Sequence, residues 1–286
     1  MIDMGVQGYL IFMLVVMGVV LTAVVLWGIL YLIYVLVLVR PGKKGEIDPD
    51  LLCDYAHRGL HGTNVPENSL KAFELACKAG FAIELDVQLS SDGEVMVFHD
   101  YSLKRMTGVD KNLCELDAKS LCELRLSGFD ERIPTFREVL ALIDGRVPIL
   151  VELKGENFDT ALCPKVAEIL NEYKGKYCIE SFNPLLVKQM RKLMPEAVCG
   201  LLYTNAVKEK GKLTFINLAV SLMMLNFLCK PRFIAYDERY RDASCVRLAT
   251  KLYKAQKFVW TVRSRENLDL AHELGECPIF EYIVRK

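Results

Sequence analysis

The chain has 286 residues, 36 of them basic and 36 acidic, so its formal net charge is zero. That balance, with no basic tract, argues against a nucleic-acid partner. Ten cysteines lie at 53, 77, 114, 122, 163, 178, 199, 229, 245 and 277 with no CxxC pair. The scatter excludes zinc-ribbon spacing, and free thiols at this density fit a reducing compartment.

Residues 4–39 carry no charged side chain, more than the ~20 apolar residues a bilayer span needs. Asp3 is the only charge before this stretch, whereas a cleavable signal peptide has a basic start and a short apolar core. Residues 1–40 therefore read as a retained transmembrane anchor that meets the bilayer through 6–39. Residues 41–50 follow as a linker, and 51–286 as one domain. Arg40, Lys43 and Lys44 lie on the domain side of the anchor. The positive-inside rule then gives a single-pass cell-membrane protein with the domain 51–286 in the cytosol.

Beyond the linker, strand-like and helix-like segments alternate, the pattern of a parallel α/β fold. Strand candidates are 51–56, 82–88, 95–98, 149–153, 177–181, 198–203, 233–236, 257–262 and 279–284. They number nine, one more than a (β/α)₈ barrel holds. Helix candidates are 68–79, 135–143, 160–173, 184–193, 242–255 and 264–273. Asn68 or Ser69 can cap the first helix, and Asp92-Gly93 reads as a turn between neighbouring strands. The uncharged stretch 213–229 has two open readings: a helix packed on the domain, or an apolar flap touching lipid or an acyl chain.

Polar residues gather at the ends of these strands. His57-Arg58-Gly59 follows 51–56, and His99-Asp100 follows Val95–Phe98. Strand side chains alternate faces, so Glu84 and Asp86 share a face, as do Glu152 and Lys154. Carboxylates on apolar strands are costly unless paired or bound to a cation. Glu84, Asp86 and Glu152 are thus candidate metal ligands, and an all-oxygen set suits Mg²⁺ or Ca²⁺, with Mn²⁺ also compatible. His57 and His99 titrate near neutrality and are candidates to pass protons in catalysis. Arg58 and Lys154 are candidate partners for a substrate phosphate. Glu180 and Trp260 are candidates for the substrate pocket. Gly59 is expected to let the backbone approach the substrate. Glu67 and Asn68, in the first loop of the same face, stay open between support of the metal site and helix capping. His61, in a loop, and His272, in a late helix, are expected to stand outside the chemistry.

At Ala56-His57-Arg58-Gly59, Pro66-Glu67-Asn68-Ser69, Glu84-Leu85-Asp86-Val87, Val97-Phe98-His99-Asp100 and Val151-Glu152-Leu153-Lys154 the chain resembles the glycerophosphodiester phosphodiesterase family. The resemblance covers roughly residues 51–285. It implies a TIM (β/α)₈ barrel and hydrolysis of glycerophosphodiesters to glycerol phosphate and an alcohol. It also implies metal at Glu84, Asp86 and Glu152, with basic residues near the phosphate, and likens 101–133 to the family's small insertion. The tail departs from the family pattern, with Arg263 after Trp260-Thr261-Val262 and the ending Ile279-Phe280-Glu281-Tyr282-Ile283-Val284. Two rivals remain: a lysophospholipase D acting on lysophospholipids with the same barrel, and a non-catalytic phosphodiester-binding membrane protein.

Overall fold

The computed structural model describes residues 5–42, 46–155 and 159–282. Nine strands make one sheet: β1 (Tyr55–Ala56), β2 (Ala82–Leu89), β3 (Val95–Val97), β4 (Ile149–Leu153), β5 (Tyr177–Ser181), β6 (Val198–Tyr203), β7 (Phe233–Asp237), β8 (Gln256–Val262) and β9 (Cys277–Phe280). Their order is β1-β9-β8-β7-β6-β5-β4-β2-β3, and β1 also pairs with β2. All of these pairings are parallel except β2–β3, which is antiparallel. Eight parallel strands therefore close a barrel. The surplus candidate is β3, which hangs on the end of β2 through the Ser90–Glu94 turn.

Three elements differ from the sequence reading. The first strand is only two residues long, because Asp48 caps a 3₁₀ turn over Pro49–Leu51, and proline at the first position favours such a turn. The candidate helix 242–255 is broken into Ser244–Arg247 and a wider π-helical turn, Leu248–Leu252. The candidate strand 279–284 ends at Phe280, and its last two positions lie outside the described residues.

Burial explains the layering. Tyr55, Ala82, Leu150, Cys178, Val198, Phe233, Phe258 and Ile279 form an apolar cluster with Leu51. In strict alternation with Ala82, Leu150 and Cys178, the next same-face positions are Glu84, Glu152 and Glu180. The neighbours Asp86↔Glu152↔Glu180 stand in register across β2, β4 and β5. The barrel is thus plugged by hydrocarbon at its amino end and lined with carboxylates toward its carboxyl end. A second cluster joins the outer faces of the strands to helices such as Leu70–Ala79, Phe136–Ile143 and Leu162–Glu172. Residues 101–133 build a separate small core from Leu103, Met106, Leu113, Leu121 and Leu126 with Met96 and Phe98.

The N-terminal helix Val6–Ile33 continues without a break into a π-helical turn, Tyr34–Leu38. Gln7–Leu38 contains an 18-residue stretch of mean hydropathy 2.8, none of it buried, and is long and apolar enough to cross a membrane. Stretch 213–229 is not a single helix. It forms Phe215–Ser221 and Asn226–Cys229, packed beside the barrel. All ten cysteines are free thiols, and Cys178 and Cys199 are core residues as expected.

Candidate active site

The first loop after β1 shows how the local sequence builds the site. Arg58 and Gly59 both adopt positive φ, 54° and 80°. A side chain on Gly59 would lie 2.9 Å from Ala72 Cβ and 2.9 Å from Phe73 Cδ1. Gly59 therefore serves close packing on helix Leu70–Ala79, which corrects the expectation that it makes room for substrate. The tight turn turns the Arg58 amide inward, and it donates to Glu84 Oε2 at 2.9 Å.

The parity argument for the strands holds. Carboxylate oxygens of Glu84, Asp86 and Glu152 all lie within 4.8 Å of one another, and all three residues are buried. Lys154 Nζ sits 2.9 Å from Asp86 Oδ1 and 2.7 Å from Glu152 Oε1. Asn68 Nδ2 donates to Asp86 Oδ2 at 2.8 Å, while Ser69 caps the helix. Asn68 thus belongs to the site rather than to the cap. Glu67 stands apart from the carboxylate cluster: it accepts from Arg58 Nη1 at 2.7 Å and from Arg105 Nη2 at 2.6 Å.

Both histidines are oriented through Nδ1 by a carboxylate. His57 Nδ1 meets Glu281 Oε1 at 2.5 Å, and its Nε2 lies 3.8 Å from Glu84 Oε2. His99 Nδ1 meets Asp100 Oδ1 at 2.6 Å, and Arg105 Nε donates to the other oxygen of Asp100. Gln88 Nε2 donates to the carbonyls of Phe98, His99 and Asp100 and so pins that loop to β2. His99 lines a cavity of about 430 Å³ with Asp100, Glu152, Lys154, Ser181 and Phe182. A larger cleft, about 950 Å³, opens at the opposite end between Pro49–Asp54 and Gly145–Lys176. It is the roomier space, but it holds no part of the histidine and carboxylate cluster.

Glu180 is buried beside Glu152, and its Oε2 has no hydrogen-bond partner. Trp260 donates from Nε1 to Ala235 O at 3.0 Å and meets Phe182 edge-on at 5.6 Å. It backs the cavity wall through Phe182. His61 lies nearer the site than its loop suggested, with Nε2 3.9 Å from Glu281 Oε1. His272 is a surface residue paired with Asp54 at 2.8 Å. Sequence reasoning noted Asp100 beside His99 but gave it no role, and gave none to Glu281, Arg105 or Gln88. Glu281 and Asp100 carried the same signal as the others, a polar residue just past a strand end.

Electrostatics separate these groups. Burial pushes Glu84 far above the usual carboxylate range, reinforced by Asp86 and Glu152, and burial likewise raises Glu180. Burial lifts Glu152 to about 7 against the pull of Lys154. Asp86 goes the other way: burial opposes its charge, but Lys154, His99 and Arg58 hold it well below the usual range. Burial lowers both His57 and His99, opposed chiefly by Glu281 and Asp86 respectively. Burial also opposes ionisation of Glu281, yet His57 and Arg263 hold it near about 2.

The carboxylate cluster thus lacks enough fixed positive charge to ionise fully. Glu84 Oε1 and Asn68 Oδ1 are buried without hydrogen-bond partners, and unpaired buried oxygens carry a desolvation cost that a cation removes. The residues fit a hard divalent ion bound by oxygen.

A closed parallel barrel with histidines, carboxylates, a lysine and an arginine at the carboxyl ends of its strands is the arrangement of a barrel phosphodiester hydrolase. Residues 57–281 match the model of the glycerophosphoryl diester phosphodiesterase family, and the chain belongs to that family. It is 31% identical over 233 residues to a glycerophosphodiester phosphodiesterase of Caldanaerobacter subterraneus, covering 77% of this chain and 89% of that one. It is 35% identical over 135 residues to lysophospholipase D GDPD1 of Rattus norvegicus, covering 43% of this chain and 42% of that relative's length. Among solved structures, a phosphodiesterase of Oleispira antarctica, in complex with sn-glycerol-3-phosphate, superimposes with a TM-score of 0.67. That match is 23% identical and covers 80% of this chain and 92% of that one. The glycerophosphodiester phosphodiesterase of Thermotoga maritima gives a TM-score of 0.62 at 25% identity, over 80% and 94% of the two chains. The protein is an enzyme of this class.

Proposed function

We propose that this enzyme hydrolyses glycerophosphodiesters to glycerol phosphate and an alcohol at a membrane, with a divalent cation held by Glu84, Asp86 and Glu152. The reading is carried by one observation: two histidines, each oriented through Nδ1 by a carboxylate, beside one buried carboxylate cluster. The cation, when bound, neutralises phosphate charge and acts as a Lewis acid. Lys154 and Arg58 hold further phosphate oxygens and keep Asp86 ionised.

His57 is the base of this scheme. Glu281 fixes its tautomer, and Nε2 faces Glu84 of the carboxylate cluster. It takes the proton of the attacking hydroxyl as the new P–O bond forms: attack by water gives glycerol phosphate directly, and attack by the substrate's own glycerol gives a cyclic phosphate that water then opens. His99 is the acid, because it lines the open cavity through which the alcohol departs. It gives its proton to the leaving oxygen as the old P–O bond breaks.

His57→Ala and His99→Ala should each lower turnover of glycerophosphocholine by ~10² or more, the scale of a positioned proton-transfer group. A p-nitrophenyl ester, whose leaving group needs no proton, separates the two roles. His99→Ala should recover most of its loss on that ester, and His57→Ala should not. The reverse pattern would exchange the assignments, and wild-type levels in both variants would overturn the scheme.

The helix spanning Gln7–Leu38 is read as the anchor, residues 51–286 as the catalytic domain and 101–133 as its small insertion. The cytosolic orientation rests on Arg40, Lys43 and Lys44, of which the two lysines lie outside the described residues. The lysophospholipase D reading is favoured by the similarity to GDPD1 and by the apolar residues beside the anchor.

A further inference from the structure

The end of the anchor is clamped along the barrel in a definite direction. Tyr34 Oη donates to Leu222 O at 3.2 Å. The neighbouring carbonyl, Ser221 O, accepts from Tyr203 Oη at 3.0 Å, and Tyr203 is the last residue of β6. Five residues on from Tyr34, Val39 O accepts from the buried Asn226 Nδ2 at 2.7 Å. Gly42 N then donates to Pro231 O at 2.9 Å, just before β7 begins, where Arg232 N donates to Cys199 O near the start of β6. Residues 34–42 therefore run from the carboxyl end of β6 to its amino end. Tyr253 Oη on Val35 O, at 2.6 Å, adds a fourth fastening.

A helix that arrives in this direction leaves the barrel on the side where the strands end, which is the side of the catalytic cavity. Val6–Ile33 has 28 residues, about 42 Å of helix at the usual rise, enough to cross a hydrocarbon core of about 30 Å. Beside this exit stands an exposed apolar tip. Leu213, Phe215 and Ile216 are 77%, 79% and 71% exposed. Exposed Lys208, Lys210 and Lys212 precede them. An apolar tip with a cationic rim suits anionic headgroups above and acyl chains below.

We propose that the barrel sits mouth-down on the bilayer. The clamp at Tyr34–Gly42 turns the carboxyl ends of the strands toward the leaflet the anchor enters, and the tip Leu213–Ile216 inserts into that leaflet. The occupant of the apolar tip is a lipid surface. Resting on the phosphodiesterase reading above, this holds the mouth of the catalytic cavity against the membrane surface.

The test uses the full-length enzyme in nanodiscs made from equal parts of phosphatidylcholine and phosphatidylglycerol, with plain or dibrominated acyl chains. The chain has two tryptophans, Trp27 and Trp260. Trp27→Phe removes the one in the anchor, and the emission of that variant, which keeps Trp260, is subtracted as the reference. Into that background go Ile216→Trp at the tip or Lys174→Trp, an exposed site just before β5 at the opposite end of the barrel. Emission from residue 216 should fall roughly two-fold or more in brominated discs, as for an interfacial apolar side chain, and emission from residue 174 should not change. Quenching at 174 alone, at both positions or at neither would overturn the proposal. Hydrolysis does not enter the readout, so such a failure would leave the phosphodiesterase reading standing.

Discussion

Glu281→Gln removes a charge and almost no volume from the one group that fixes His57. The carboxylate sits 2.5 Å from Nδ1 and is held near a pKa of about 2 by His57 and Arg263, despite its burial. When His57 takes up a proton in the rate-limiting step, that contact becomes a charge-assisted pair, worth about 1.5–3 kcal/mol. At 1.36 kcal/mol per decade, kcat should fall about 10- to 150-fold. Arg263 also loses its partner, but its side chain is 58% exposed, so the cost to stability should be small. Steady-state hydrolysis of glycerophosphocholine gives the loss, and a thermal melt checks the fold. A double-mutant cycle with His57→Ala then isolates the pair: Glu281→Gln should cost little once the imidazole is gone. Equal losses in both backgrounds, or a loss under three-fold in the parent, would refute the coupling.

Gly59→Ala should destabilise the barrel by about 2–5 kcal/mol in chemical denaturation, from the left-handed backbone and the Ala72 and Phe73 contacts; an effect below about 0.5 kcal/mol, the scale of a neutral surface change, would contradict the packing argument. His272→Ala should leave turnover of glycerophosphocholine unchanged, since its only described partner is Asp54 at the surface; a large loss would move that face into the mechanism. A reporter fused after Lys286 and active only outside the cell should be silent, and one active only inside should work; neutralising Arg40, Lys43 and Lys44 should weaken that bias.

The site was legible where its signal was local. Strand parity alone placed Glu84 with Asp86 and Glu152 with Lys154, because side chains two apart must share a face. The long N-terminal helix was legible because an uncharged apolar run of that length has few other conformations open to it. What stayed hidden depends on partners distant in sequence. Glu281 lies 224 residues from His57, and only barrel closure of β9 on β1 brings them together. Arg105 sits in the 101–133 segment and reaches Glu67 and Asp100, contacts that no periodicity marks. Gly59 was misread because its meaning is set by the helix face behind it, not by its own loop. The extra strand candidate was a real strand, but its antiparallel pairing follows from the short turn after Ser90 and not from its composition.

The central claim is that a divalent cation at Glu84, Asp86 and Glu152 is required for phosphodiester hydrolysis. It is tested most directly on the purified full-length enzyme, stripped with chelator, titrated calorimetrically with Mg²⁺, Ca²⁺ and Mn²⁺, and assayed on glycerophosphocholine at each step. The account predicts loss of turnover on stripping, return of turnover in proportion to metal bound, and sharply weakened binding in Glu84→Gln and Glu152→Gln with the fold intact. Full turnover in chelator, with no metal uptake detected by calorimetry, would contradict it.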